Sequence, residues 1–385
     1  MLAHPLDNGR AVCVYKSVDA TAATCGEDAV AYRRFFEPLV RSWPLIDESV
    51  LGPLRWPRHP LALARFGFHA MRPAARLVER EFTGESARAL LAGIAAHSMI
   101  PLDWRPSGGV ALALALVAHV AGWCIPRGGA QVLTNALVAY LRSLGADIVT
   151  RSPVDSIDDL PPAKAVFCDL SPAPLLRIAG HRLPLRYRRA LEHYRYGMGV
   201  FKVDWALAAP IPWRNEACGR AGTVHLGGTF EEIVHSERHA WNGRAALRPF
   251  VLLSQPTIFD PFRAPEGRHV AWSYCHVPHG SDIDMLARIE GQIERFAPGF
   301  RERVIARSVM RPADIERRNP NFVGGDIGAG ATTLGQLFTR PTWRTYSTPV
   351  RGLYLCSAST PPGAGVHGMC GYFAAQCALR EVLRD

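Results

Sequence analysis

Apolar and polar positions follow helical spacing through most of the first third of the chain. After Asp19, a suitable N-cap, apolar residues recur three or four positions apart, as on one face of a helix. That face consists of Tyr32, Phe35, Phe36, Leu39 and Val40. The pattern stays mainly helical from residue 45 to residue 123, with breaks at six prolines. An apolar run over residues 11–15 predicts one strand before these helices.

The pattern changes at residues 126–129, which end in two adjacent glycines. Residues 130–144 have apolar positions at helical spacing, and Gly145 is a suitable C-terminal cap. Short apolar runs then predict strands at residues 147–150, 154–157 and 165–170. A helix followed by strands in this order predicts an α/β unit.

Residues 173–345 have a mixed pattern of strands and helices. The predicted strands are 199–204, 223–226, 250–254 and 269–276, and the predicted helices are 282–296 and a segment near Phe300. The last forty residues return to α/β character, with an apolar strand at 353–357 and an apolar helix up to the end. The predicted division is therefore 1–125 (mainly helical, with one strand), 126–172 (α/β), 173–345 (mixed sheet and helices) and 346–385 (strand, turn and helix). The predicted fold class is α/β plus α+β.

Composition excludes some classes of function and leaves others open. A content of 48% hydrophobic and 20% charged residues indicates a globular protein and not a disordered one. The formal charge of +10 is compatible with an anionic partner, but no nucleic-acid-binding module is recognisable, so we expect no nucleic acid. The nine cysteines contain no Cys-x-x-Cys pair and predict free thiols in a reducing, cytoplasmic setting. No cluster of residues has the spacing of a metal site.

Between the last predicted strand and helix lies a glycine-rich turn, residues 358–371. Its glycines at positions 363, 365, 368 and 371 permit close approach of a ligand to the backbone. A strand, a glycine-rich turn and a helix together present backbone N–H groups and a positive helix end to a cofactor. The other interpretation is a tight junction in which glycine serves packing alone.

Three stretches resemble the phytoene-desaturase-like FAD-dependent oxidoreductases of the amine oxidase superfamily. They are the terminal turn with its preceding strand, the Pro126-x-Gly128-Gly129 segment with the helix after it, and Asn319–Ile327. The resemblance implies a Rossmann-like FAD-binding domain interleaved with a substrate domain. It also implies an adenine-end contact at Val154. The flavin-end contacts that it implies are Ala358, Ser359, Gly365, Val366 and Gly368.

Under this resemblance, the implied reaction is hydride transfer from an apolar, lipid- or isoprenoid-like substrate to the flavin. A helix N-terminus would stabilise the negative charge of the reduced flavin. His367 departs from the family pattern and either donates to the flavin or substrate or is a turn residue. His97 and His276 are the two histidines that we would test on the substrate side. For both, the ordinary alternative is a core or surface histidine.

The resemblance also implies a strand–Gly-x-Gly-x-x-Gly–helix, which this sequence does not contain. The glycines of 324–330 do not replace it, because no apolar strand precedes them; we expect a loop beside the active site. We therefore expect an incomplete FAD domain with unpaired strand edges, which binds FAD poorly unless another polypeptide completes it. The alternatives are a cofactor-free binding or regulatory protein, one half of a split flavoenzyme, or a chain whose start is assigned too late. Whether this chain is itself an enzyme stays open.

A basic stripe marks the early helical region. Its members recur every three or four residues and are Arg65, His69, Arg72, Arg76 and Arg80. A basic amphipathic helix can lie on an anionic membrane surface, so one expectation is a protein attached peripherally to the inner face of the membrane. The other interpretation is a solvated helix face.

Overall fold

The computed structural model describes residues 1–383, which form nine strands and fifteen α-helices. The strands are β1 (Leu2–Pro5), β2 (Ala11–Val14), β3 (Val166–Cys168), β4 (Gly199–Leu207), β5 (Thr223–Leu226), β6 (Val251–Ser254), β7 (His269–Val277), β8 (Val304–Met310) and β9 (Leu353–Leu355). The helices are α1 (Val18–Thr24), α2 (Ala29–Val50), α3 (Pro60–Ala70), α4 (Ala74–Glu81), α5 (Glu85–Ala96), α6 (Ser107–Val120), α7 (Gln131–Ser143), α8 (Pro172–Ala179), α9 (Leu185–Glu192), α10 (Glu216–Gly219), α11 (Phe230–Trp241), α12 (Leu286–Phe296), α13 (Pro312–Arg318), α14 (Leu334–Phe338) and α15 (Met369–Glu381).

Seven strands form one large sheet in the order β2-β1-β5-β6-β7-β4-β8. Only the β1–β5 pair is parallel; the other neighbours are antiparallel. In β4, buried and half-buried residues alternate from Phe201 to Leu207 because successive side chains point to opposite faces. Five of its strands come from the mixed middle segment and two, β1 and β2, from the start of the chain.

Both faces of the large sheet are covered, each by its own hydrophobic core. One core joins Leu2, Val12 and Val14 of the sheet to helices α2 to α6 and α11. The other joins Val203 and Trp205 to α12. Burial of apolar area of this kind is the main favourable term in folding.

A second, two-stranded sheet pairs β3 with β9 in parallel, with Val166 opposite Leu353 and Cys168 opposite Leu355. Leu353 and Leu355 pack into a small core with residues of α8 and α9. The terminal strand, turn and helix are confirmed as β9, residues 356–368 and α15.

The expected strands at residues 147–150 and 154–157 are wrong: no strand lies between α7 and β3, and residues 157–159 form a 3₁₀ turn. A run of apolar residues becomes a strand only where a neighbour accepts its backbone hydrogen bonds, and residues 1–383 offer none here. The helix predicted at 130–144 is confirmed as α7. The sequence pattern did not reveal β1 and β8.

Candidate functional site

The terminal turn presents the start of helix α15 to solvent. Gly368 precedes the helix with a φ of +68°, a backbone region that favours glycine. Val366 is 95% exposed, and Gly365 and Gly368 are exposed as well. Helix α15 has 13 residues, so its N-terminal N–H groups carry the positive end of an extended helix dipole. Three of the five predicted flavin-end residues, Gly365, Val366 and Gly368, therefore lie where a ligand can reach them.

The first half of the turn is buried, and hydrogen bonds from its own hydroxyl groups hold it in place. Ser359 is fully buried, and its Oγ donates to the carbonyl of Ala329 at 2.7 Å. Ser357 Oγ donates to the carbonyl of Leu170 at 2.9 Å. Ser359, named from the sequence as a flavin contact, thus supports the turn through its side chain, and its backbone N–H also donates within the turn, to Ser357 Oγ at 3.2 Å.

Arg340 fastens the turn to the loop at residues 328–331. Its guanidinium is buried and donates twice to the carbonyl of Ala358, at 2.9 and 3.1 Å. It also donates to the carbonyls of Gly328 at 3.1 Å and Gly330 at 3.2 Å. The planar fork of arginine suits such a set of acceptors. No sequence signal pointed to Arg340, because its partners are backbone atoms.

The glycine-rich loop is organised around the buried carboxylate of Asp326. This carboxylate accepts hydrogen bonds from the backbone N–H groups of Gly197 at 2.6 Å, Gly328 at 2.8 Å and Gly330 at 2.9 Å. Burial raises the pKa of Asp326, and these backbone donors oppose that rise. The loop's N–H groups are used internally, which fits a packed loop and not a phosphate cradle.

His367 lies within the turn, directly before α15. Its Nδ1 accepts a hydrogen bond from the backbone N–H of Met369 at 3.0 Å, so the ring caps the helix start. Burial lowers the pKa of His367, and this favours a neutral ring whose proton is on Nε2. The structure thus shows the turn role of His367; a role towards a ligand stays a prediction.

The other two candidate histidines lie in a different place, between the large sheet and its helices. His97 follows α5, and its Nε2 is 3.1 Å from Nε2 of His225. His276 Nδ1 is 2.6 Å from Oε2 of Glu237, and both side chains are buried. Burial lowers the pKa of His97 to about 4. The sequence did not single out His225 or Glu237, because only the sheet register and α11 bring them here.

Val154 lies in the irregular segment between α7 and β3 and is 36% exposed. The structure therefore brings Ala358, Ser359, Gly365, Val366 and Gly368 together in one turn and leaves Val154, His97 and His276 outside it. The role of Val154 towards an adenine group stays a prediction.

Three further findings concern metal ligands, thiols and membrane-spanning helices. Within residues 1–383, no three side chains of His, Cys, Asp or Glu converge as metal ligands would. The nine cysteines are free thiols. No helix among the described residues has the length and apolarity needed to cross a membrane.

A surface cleft of about 830 Å³ lies beside Tyr194, whose hydroxyl donates to the carbonyl of Ala329 at 2.9 Å.

No protein-family model matches the chain. Its sequence is similar to "pyridine nucleotide-disulfide oxidoreductase domain-containing protein 2" of Mus musculus, with 26% identity over 80% of this chain and 61% of the relative. It is also similar to a lycopene-forming phytoene desaturase of Pseudescherichia vulneris, with 24% identity over 67% of this chain and 56% of the relative. The chain thus spans less than two thirds of the length of these curated relatives.

Two solved structures share the architecture. Putrescine oxidase bound to putrescine matches with a TM-score of 0.60 and 14% identity, over 99% of this chain and 81% of that one. An oxidoreductase from Methanosarcina mazei matches with a TM-score of 0.57 and 16% identity, over 82% of this chain and 71% of that one. The expected fold class, α/β plus α+β, is confirmed. The resemblance to phytoene desaturases is confirmed in sequence.

Proposed function

We propose that this chain forms the flavin-end and substrate-binding part of an FAD-dependent oxidoreductase that oxidises an apolar, lipid- or isoprenoid-like substrate. The observation that carries the proposal is the exposed turn at the start of α15, which Arg340 holds in place. The similarity to phytoene desaturases supports it. Bound FAD would supply the hydride acceptor.

The residues of the chain have separate tasks in such a site. The N–H groups that follow Met369 at the start of α15, with Gly365 and Gly368, would bind the flavin end and stabilise negative charge there. His367 keeps the helix start capped and holds its proton on Nε2. Arg340 and Asp326 fix the loop behind the turn, so that the backbone needs no rearrangement when the ligand binds.

Riboflavin and ADP test the proposal separately, because riboflavin carries only the flavin end of FAD and ADP only the other end. We expect saturable quenching of riboflavin fluorescence by the chain, with no competition from ADP. Gly368→Ala should weaken riboflavin binding about tenfold, because the new methyl group would occupy open space beside the exposed turn, where the proposed ligand would lie. Gly280→Ala is the matched control, since both glycines have similar positive φ and open space around them.

The absence of saturable quenching in the wild-type chain would favour the cofactor-free binding or regulatory protein. Equal losses in Gly368→Ala and Gly280→Ala would show that backbone strain, and not contact with the ligand, weakens binding. The flavin site would then lie elsewhere.

A second candidate, one half of a split flavoenzyme, is favoured by two exposed surfaces. Helix α7 has no buried residue, and an apolar stripe on it includes Leu133, Leu137 and Leu141. Strand β3 pairs with β9 on one side only. In a parallel pair, the N–H and C=O groups of Phe167 point away from β9. We propose that another polypeptide covers both surfaces and completes the FAD site.

Native mass spectrometry of the chain from its own source tests this second candidate. We expect a heteromer that binds FAD in competition with ADP, and we expect Leu137→Glu with Leu141→Glu to dissociate it. Two matched substitutions on the other side of α7, Gln131→Glu and Asn135→Glu, should leave it intact. A monomer or a homo-oligomer that binds FAD would refute the split-enzyme proposal.

We also propose that the basic stripe contacts an anionic membrane surface. The structure divides this stripe between α3 and α4. Arg65, Arg76 and Arg80 are exposed, whereas the Arg72 guanidinium lies 4.1 Å from the ring centroid of Phe68. Contact of these arginines with an anionic membrane surface is supported by the net charge of +10.

A further inference from the structure

The cleft of about 830 Å³ lies between the end of α9, helix α14 and the loop before α6. Its floor includes the buried residues Tyr194, Pro341 and Thr342. Its volume falls within the range in which proteins bind small molecules. No residue of the terminal turn lines the cleft, so the two are separate. Tyr194 in the cleft and Arg340 beside it both contact the loop at residues 328–331.

The charges around the cleft are predominantly positive. Arg105 and Arg195 line it, both are exposed, and neither belongs to an ion pair among the described residues. The lining also contains one acidic residue, Asp103, whose carboxylate is paired with Arg238 at 2.9 Å. The two arginines therefore have no ion-pair partner among the described residues, and such guanidinium groups bind carboxylate or phosphate in a bidentate manner.

Two tryptophans form apolar walls of the same cleft. Trp104 packs against Trp241 with the ring centroids 5.2 Å apart and nearly edge to face. Trp343 is 82% exposed, which is unusual for so large an apolar side chain. Exposed aromatic rings of this kind can contact the flat or apolar part of a ligand.

The positions of these groups are set by hydrogen bonds to the backbone. The side-chain amide of Gln336 on α14 accepts from the N–H of Arg195 at 2.7 Å and donates to its carbonyl at 3.0 Å. Gln336 also donates to the carbonyl of Ala331 at 2.7 Å. The part of the cleft that carries Arg195 is therefore attached to the loop that Arg340 holds.

We propose that this cleft binds a flat apolar molecule that carries one carboxylate or phosphate group. The anionic group pairs with Arg105 and Arg195, and the apolar part lies against Trp104 and Trp343. Binding at this cleft does not require a flavin, so the inference goes beyond the proposed oxidoreductase and can be tested without it.

Equilibrium dialysis with two probes that share one apolar body tests the proposal. Pyrenebutyrate carries a carboxylate, and pyrenebutanol carries a hydroxyl group in its place. We expect the wild-type chain to bind pyrenebutyrate about tenfold more tightly than pyrenebutanol at low salt. Arg105→Gln with Arg195→Gln should remove that preference and leave pyrenebutanol binding unchanged, which also shows that the variant is folded. Inorganic phosphate alone should compete weakly, because it lacks the apolar part.

Two control variants separate the cleft from general surface effects. Arg186→Gln on α9 changes an exposed arginine outside the cleft and should leave both probes unaffected. Trp343→Ala should weaken both probes, whereas Trp56→Ala, which removes a tryptophan that is 91% exposed elsewhere, should weaken neither. Equal affinity for the two probes, or the same loss in Arg186→Gln as in the double variant, would overturn the proposal.

Discussion

Arg340 holds the candidate site together, although nothing in the sequence pointed to it. Its guanidinium joins the carbonyl of Ala358 in the turn to those of Gly328 and Gly330 in the loop. A buried cation surrounded by carbonyl oxygens replaces the water that it loses with directed hydrogen bonds. The turn and the loop are therefore one structural unit.

We expect Arg340→Lys to destabilise the protein by about 3 kcal/mol, because an ammonium group cannot reach these acceptors with a planar fork. Urea denaturation measures the free energy of unfolding. Arg344→Lys is the control, since Arg344 is exposed and only four positions away. If the two variants are equally stable, Arg340 does not hold the turn in solution.

His4 predicts a dependence of stability on pH. It is fully buried, its Nε2 donates to the carbonyl of Gly228 at 2.9 Å, and burial lowers its pKa to about 4. The folded state therefore binds a proton less readily than the unfolded state, whose histidines titrate near their ordinary pKa of about 6.5. The contribution of His4 is complete above about pH 6.5 and is lost as the pH falls towards 4.

Between pH 7 and pH 4, we expect the wild-type chain to lose about 3 kcal/mol more of its free energy of unfolding than His4→Gln does. Glutamine keeps a donor near the Gly228 carbonyl and does not titrate. Guanidinium denaturation across this pH range measures the difference. His193→Gln, at an exposed histidine, should follow the wild-type curve. Identical pH profiles for His4→Gln and the wild-type chain would contradict the expectation.

At the scale of elements, helix α7 shows that apolar periodicity can predict a helix without predicting whether that helix is buried. The helix that its apolar spacing predicts is present, yet none of its residues is buried. The neighbouring residues 147–150 contain a short apolar run that predicts a strand, and they form none. The helix satisfies its backbone hydrogen bonds internally, whereas a strand requires a second strand beside it.

Substitutions in α7 should therefore have little effect on the stability of the chain alone. We expect Leu137→Gln and Leu141→Gln to change the free energy of unfolding by less than about 0.5 kcal/mol each. Leu90→Ala in α5 should cost about 3 kcal/mol, because Leu90 is fully buried in the larger core. Thermal and chemical denaturation compare the three. A loss near 2 kcal/mol for Leu137→Gln would mean that the stripe is covered in solution.

For the molecule as a whole, the net charge of +10 has a testable consequence at the surface of α3 and α4. We expect the chain to sediment with phosphatidylserine vesicles but not with phosphatidylcholine vesicles, and to dissociate as the salt concentration rises. Replacing Arg65, Arg76 and Arg80 by glutamine should remove about 1 kcal/mol of binding free energy for each arginine.

The control for this experiment is a triple glutamine variant of Arg186, Arg188 and Arg189 on α9, which lowers the net charge by the same amount. If both triple variants bind equally weakly, overall charge and not the α3–α4 surface attracts the vesicles. Equal binding to neutral vesicles would remove the electrostatic explanation altogether.

The sequence by itself determined the features that depend on neighbouring residues. Helical spacing predicted α7, apolar runs predicted β5 and β7, and glycine spacing predicted the terminal turn and its helix. The residues of that turn also carried the resemblance to phytoene desaturases, which the relatives confirmed. Local sequence is sufficient here because helix spacing, strand propensity and turn geometry act over a few residues.

Only the tertiary structure decided which distant groups meet. It placed His276 against Glu237 and His97 against His225. It also brought Arg340 to the carbonyls of Ala358, Gly328 and Gly330. It also brought Trp104, Arg195 and Trp343 to one cleft. The residues brought together lie up to 239 positions apart, from Trp104 to Trp343. The partners are often backbone atoms, which have no distinctive letter in a sequence.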